Sequence, residues 1–165
     1  MTKSHAIKTL IREDLPQFAP IIRKSFATVA EEFGWTQEVA PTFTAYITDE
    51  KLRDKCTEDC TLFGLFVEEM PVGFVSLTDQ GAGIFELQHL SVLPEWRHCG
   101  YGKLLLDHCK ACVKAAGGNK ITLSLVEENT RLKTWYLAHG FTRTGTKKFP
   151  WHPFTVGFMQ WMPTP

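Results

Sequence analysis

Apolar and polar residues follow two different periods along this chain, and the changes between them predict its elements. Ala6 to Ile11 reads as a first strand. From about Leu15 to Glu32, the residues Phe18, Ile21, Ile22, Phe26 and Val29 recur near helical spacing, and Asp14 stands where an N-cap belongs. Residues 34 to 60 keep no period; Trp35, Pro41, Phe43 and Tyr46 predict an irregular segment, followed by a short helix at Asp49 to Lys55. Leu62 to Val67 and Val72 to Leu77 flank Glu68-Glu69-Met70-Pro71 as a hairpin. Gly81-Ala82-Gly83 marks a turn into a longer strand, Ile84 to Val92.

A helical stripe follows, with Leu105, Cys109, Cys112, Val113 and Ala116 at core spacing and Lys103, Asp107, Lys110 and Lys114 largely on the other side. Gly117-Gly118 ends it. Ile121 to Val126 alternates like a buried strand, and Asn129 is placed to cap a short helix running to about His139. Phe141 to Phe149 and Phe154 to Trp161 complete the set as two strands. Strands interleaved with helices and hairpins predict a mixed α/β or α+β sheet in a single domain spanning 1–165.

Composition narrows the function. Eighteen Lys and Arg balance eighteen Asp and Glu, which argues against a nucleic-acid groove. The N-terminal residues lack the apolar core of a secretion signal, and no apolar run reaches bilayer length. Five cysteines, an odd number without such a signal, point to reduced thiols and a cytoplasmic protein. Cys56 with Cys60, and Cys109 with Cys112, have the spacing of metal-ligand pairs, but the second pair follows the core stripe of a helix, where cysteine serves as a small hydrophobe. No metal is expected.

The segment Leu90 to Leu106 carries the strongest chemical signal. A strand-like run ends at Pro94, a turn containing Arg97, Gly100 and Gly102 follows, and the helical stripe begins at once. First-turn N–H groups lack intrahelical partners, the helix dipole adds positive charge there, and glycine lets the backbone approach a bulky anion. A diphosphate-bearing ligand is expected. The pattern is neither a P-loop nor a Rossmann fingerprint.

These residues resemble the GNAT acetyltransferase superfamily, which uses acetyl-coenzyme A. Arg97-His98-Cys99-Gly100-Tyr101-Gly102 fits its Gln/Arg-x-x-Gly-x-Gly/Ala signature, and Asn129, Tyr136 and Gly140-Phe141 fit a second one. The Leu90-x-Val92-x-Pro94 lead-in also matches, and the likeness is good over roughly residues 60 to 145. It implies a mostly antiparallel sheet of six or seven strands with a central splayed parallel pair, flanked by about four helices. It implies that Arg97, His98, Cys99, Gly100, Tyr101, Gly102 and Lys103 hold the pyrophosphate, that the backbone of Leu90 and Val92 pairs with the pantetheine arm, and that Asn129 touches that arm. Cys99 departs from the polar or basic residue common there.

By the same resemblance, Tyr136 protonates the departing thiolate and Glu86 takes the proton of the acceptor amine. Water serves equally well as base in many relatives. Strand alternation puts Glu86 and His89 on opposite faces, with Gln88 beside Glu86. His89 reads more readily as a packed residue than as a base. Trp35, Trp151, His152 and Phe154 fall where the family borders its acceptor pocket; stiffening a hairpin and sealing a homodimer accounts for them as well. The function so implied is N-acetyl transfer to a small-molecule or peptide amine, with no membrane or nucleic-acid partner. The alternative is a non-catalytic acyl-coenzyme A-binding module.

Overall fold

The hairpins, the interleaved helices and the long central strand form around one sheet. The computed structural model describes residues 3–164; residues 1, 2 and 165, which end the expected domain and begin the N-terminal stretch read above, lie outside the described residues. Among the described residues there are seven strands: β1 (His5–Leu10), β2 (Cys60–Val67), β3 (Met70–Asp79), β4 (Ile84–Val92), β5 (Lys120–Val126), β6 (Thr142–Lys148) and β7 (Thr155–Trp161). They pair in the order β1-β2-β3-β4-β5-β7-β6, and every pair is antiparallel except β4 with β5. Four α-helices among the same residues flank the sheet: α1 (Leu15–Phe33), α2 (Asp49–Lys55), α3 (Tyr101–Ala115) and α4 (Thr130–Ala138). This is the architecture the sequence resemblance implied.

Local chemistry explains most of the boundaries. Gly34, at φ 71°, closes α1 in a left-handed cap. The Thr48 hydroxyl accepts from Lys51 N and starts α2, and the Asn129 side chain accepts from Leu132 N and starts α4. Asp14 sits at the N-cap of α1 without capping it; its carboxylate turns back to accept from Ile11 N at 2.9 Å. Ala116, expected on the core stripe, falls one residue past α3 and is exposed.

Each face of the sheet buries its own cluster. One face packs Leu65, Leu77, Leu87, Ile121, Leu123 and Met159 against Leu105, Leu106, Cys109 and Val113 of α3 and Tyr136 of α4. The other packs Leu62 and Phe74 against Phe18, Ile22 and Leu52 of α1 and α2. A third cluster, Trp35, Phe43, Phe154, Val126 and Ala30, lies at the far ends of β5 and β7.

Two irregularities in β4 prepare the site. It pairs with β5 only at Ile84, Phe85 and Glu86, opposite Lys120, Ile121 and Thr122, and the two strands then part. Against β3, Ser76 meets Gln88 but Phe74 meets Ser91, so β4 carries one extra residue between them. His89 takes up that bulge at φ 59°. Leu87 and Leu90 therefore both face α3, and the residues between them turn the other way. The simple alternation expected from the sequence fails here: His89 lies near Lys55 of α2, on the Glu86 face of the sheet.

Candidate active site

The turn after β4 presents backbone more than side chains. His98 (φ 61°) and Gly100 (φ 84°) are both left-handed around Cys99, a conformation that gathers successive N–H groups into a concavity. Gly100 is the N-cap of α3, no side chain caps it, and the first helical bond runs from Leu104 N to Gly100 O. The N–H groups of Tyr101, Gly102 and Lys103 thus have no acceptor among the described residues, and the positive end of α3 adds to their attraction for an anion. A methyl group added at Gly102 would stand 3.5 Å from the Trp135 ring of α4, ordinary contact.

The charged side chains of this turn are engaged elsewhere. The Arg97 guanidinium donates to the Thr28 hydroxyl at 3.0 Å and to the Ser25 carbonyl at 2.8 Å, which ties the turn to α1. Partial burial lowers its pKa. Lys103 donates to Asp107 at 2.6 Å. Cys99 is exposed, its thiol 3.4 Å from the Arg97 carbonyl. Of the nominated residues here, the structure commits the Arg97 and Lys103 side chains to protein partners; the Lys103 N–H stays available, whereas Arg97 N donates to the Pro94 carbonyl at 3.2 Å.

From Leu87 onward, the edge of β4 that faces β5 has no strand partner. Leu90 and Val92 pack their side chains toward α3 and expose this edge to the gap. Tyr136 enters from the α3 and α4 side, 4% exposed, edge-on to Trp135 and Phe141. Burial, reinforced by the neighbouring Cys109 thiol, pushes its hydroxyl well above the usual phenol range, so it holds its proton at any physiological pH.

Where β4 and β5 part, a groove of about 400 Å³ opens on the other face. It is lined by Glu86, Thr122, Leu123, Ser124, Thr144, Phe158 and Met159. Gln80 donates to Glu86 Oε2 at 2.6 Å and holds the carboxylate in place. Thr122, Ser124, Thr144 and Phe158 were not nominated from the sequence. The alternation Ile121-Thr-Leu-Ser-Leu125 already put Thr122 and Ser124 on one face; no local signal joined them to Phe158 and Thr144, which the β5–β7–β6 pairing brings alongside.

Three of the four nominated aromatic residues come together, but as packing. Trp35 and Phe154 lie 4.9 Å apart between ring centres, Phe43 packs edge-on to both, and His152 stacks on Phe154 at 4.6 Å. Tyr46 donates to the Trp35 carbonyl at 2.6 Å. This box rests on Val126 and Val156, which follow Ser124 and precede Phe158 on the same face, so it stands next to the groove along β5 and β7 without lining it. Trp151 lies outside the box, 61% exposed.

His89 is half-buried beside the same face. Its Nδ1 has no hydrogen-bond partner among the described residues, and burial, helped by the Lys55 charge, lowers its pKa to about 4. All five cysteines are free, and among the described residues no three His, Cys, Asp or Glu side chains gather as a metal site. No helix among these residues is long and apolar enough to cross a membrane.

A family model for the acetyltransferase (GNAT) domain matches residues 58–143, the segment that holds the turn, the parting strands and Tyr136.

The chain belongs to the GNAT family.

An uncharacterized N-acetyltransferase of the pepI 3' region of Lactobacillus delbrueckii subsp. lactis is 24% identical over 153 residues, covering 88% of this chain and 86% of that protein. Two solved structures share the GNAT fold over nearly the whole chain. The PaiA N-acetyltransferase of Thermoplasma acidophilum, crystallised with coenzyme A, superposes with a TM-score of 0.78 at 23% identity, covering 97% of this chain and 99% of that one. The ribosomal-protein-S18-alanine N-acetyltransferase of Escherichia coli gives 0.75 at 16% identity, covering 96% and 94%.

Proposed function

We propose that this protein moves the acetyl group of acetyl-coenzyme A to a primary amine by direct attack within a ternary complex. One observation carries the reading: the uncapped N-terminus of α3 adjoins the free edge of β4, and that edge leads to Glu86 where β4 and β5 part. An anion-binding end, an extended channel and a carboxylate thus lie in the order that a diphosphate, a thiol arm and an amine acceptor require.

Each group has a defined task. The N–H groups of His98 to Lys103, with Cys99 contributing its backbone, hold the diphosphate. The β4 edge at Leu90 and Val92 pairs with the extended arm, and Asn129 borders it at the start of α4. Bound there, acetyl-coenzyme A supplies the activated acyl group. Glu86, directly or through a water, takes the proton of the acceptor ammonium and frees the nitrogen lone pair. The N–C bond then forms as the C–S bond breaks. Tyr136, which burial keeps protonated, donates its hydrogen to the departing sulfur, and the second proton that the nitrogen sheds as the amide forms returns through water to the phenolate. Trp35, His152 and Phe154 shape the acceptor side from beside the groove, with Trp151 at the outer rim.

Calorimetric titration with coenzyme A and acetyl-transfer assays over a panel of amines test this reading. Tyr136→Phe is expected to lower kcat about a hundred- to a thousandfold, the lower part of the range for a lost proton donor, with coenzyme A affinity unchanged. No heat on titration with coenzyme A, or full turnover by Tyr136→Phe, overturns it.

A further inference from the structure

We infer that the groove beyond Glu86 selects amines that carry a single positive charge and an otherwise uncharged body, and that it rejects diamines and α-amino acids. This rests on the acetyl-transfer reading above and names its acceptor class. Glu86 is the sole charged side chain among the residues lining the groove. Gln80 occupies one of its oxygens, leaving the other for one ammonium. The remaining walls are the hydroxyls of Thr122, Ser124 and Thr144 and the Phe158 ring, with the strands at Leu123 and Met159 as the floor. Hydroxyls and an aromatic face suit a neutral alkyl, aryl or hydroxylated body. They offer no counter-charge to a second ammonium or to a carboxylate, and a charge that gives up water without a partner is penalised.

The neighbouring charges do not fill this gap. The Glu127 carboxylate accepts from both Lys133, at 2.9 Å, and Arg143, at 2.6 Å, which joins it to α4 on the opposite side of the sheet. Asp79 pairs across the strands with Phe85, whose ring faces α3, and its carboxylate accepts from Gly81 N. Arg143 is committed to Glu127, and Lys148 to the carbonyls of His152 and Phe154. Among the residues that line the groove there is thus neither a second carboxylate nor a cation for a doubly charged or zwitterionic acceptor. The volume, about 400 Å³, suits a compact molecule.

The test uses pairs matched in shape and different in charge. Binding of n-pentylamine and cadaverine, and of L-phenylalaninamide and L-phenylalanine, is measured by calorimetry on the full-length protein with and without coenzyme A. The single-charge member of each pair is expected to bind at least about tenfold more tightly. Thr144→Asp adds a second carboxylate and is expected to raise cadaverine affinity at least about fivefold relative to n-pentylamine. Equal binding within either pair, no binding of any of the four, or an unchanged cadaverine preference in Thr144→Asp overturns the inference. Because the readout is binding, an amine that binds without being acetylated counts against the proposed reaction and leaves the selectivity standing.

Discussion

The two halves of this site are built from different materials. The half proposed to hold the cofactor is mostly backbone: left-handed residues at His98 and Gly100, free N–H groups at the start of α3, and an unpaired edge of β4. The half proposed to take the acceptor is mostly side chains, contributed by β4, β5, β6 and β7, with aromatic residues from two distant loops packed next to it. A ligand gripped through backbone constrains a short stretch of sequence, because glycines and a helix start must follow one another in order. A ligand gripped through side chains constrains a face of the sheet, whose members are far apart in the chain. The first kind of site leaves a motif and the second does not.

The largest test of this contrast is Trp35→Ala. If the aromatic box is a packed element, deleting a side chain that is 9% exposed and in contact with Phe33, Phe43 and Phe154 leaves a cavity and lowers stability by about 3–5 kcal/mol in urea unfolding. An unchanged unfolding midpoint with a raised KM for the acceptor would instead make Trp35 a direct acceptor contact, and the contrast would soften.

Next in size is a pH effect at the junction of the halves. Burial, and then the Lys55 charge, hold the His89 imidazole near 4 instead of 6.5. The folded protein resists a proton that the unfolded chain accepts, so the unfolded state binds more protons between these values and stability falls as pH drops through them. From pH 6.5 to 5 the loss is about 1–2 kcal/mol. His89→Asn keeps a side chain that tolerates the left-handed bulge and removes the titrating ring, so the difference between the two proteins isolates this residue from His108 and His152, which burial also lowers. Parallel pH profiles for the two proteins would show that His89 is solvated and that the bulge does not bury it.

Between the extremes stands Gly102→Ala, which probes the backbone half. The added methyl meets only the Trp135 ring at ordinary distance, so the folded protein accepts it. Thermal unfolding is expected to be unchanged or slightly raised, because alanine favours helix over glycine. Coenzyme A affinity is expected to fall at least about tenfold, or about 1.4 kcal/mol, because the methyl occupies the approach of the diphosphate to the free N–H groups. Stability kept and affinity lost is the signature of a site made of backbone. Stability lost together with affinity would make Gly102 a packing residue.

What was legible in the sequence follows the same division. The strand, glycine turn and helix at Leu90 to Leu106 were readable because their conformations demand particular residues, and the cap at Asn129 forms a local hydrogen bond. The His89 bulge was not readable: a histidine at φ 59° looks like any strand residue, and one extra residue opposite Val75 reverses the face of everything after it. The aromatic residues were nominated as bordering an acceptor pocket; three of the four pack against one another, and composition does not distinguish such packing from a lining. The Arg97 ties to Ser25 and Thr28 join positions too far apart in the chain for any local pattern to signal.

The smallest expected effect is the most discriminating for the aromatic box. Trp151 belongs to the same loop as His152 and Phe154, and sequence alone gives it equal standing with them. In the fold, its ring is 61% exposed, stacks loosely on Phe149 at 5.0 Å and contributes nothing to the Trp35–Phe43–Phe154 packing. Trp151→Ala is therefore expected to change stability by less than about 0.5 kcal/mol, the range of exposed substitutions, and to leave KM for the acceptor within about twofold. Urea unfolding and steady-state kinetics measure both. A KM raised tenfold with stability unchanged would mean that the loop folds inward over the acceptor, that the groove gains an aromatic wall from Trp151, and that the acceptor half includes a side chain from the rim as well as those on the sheet.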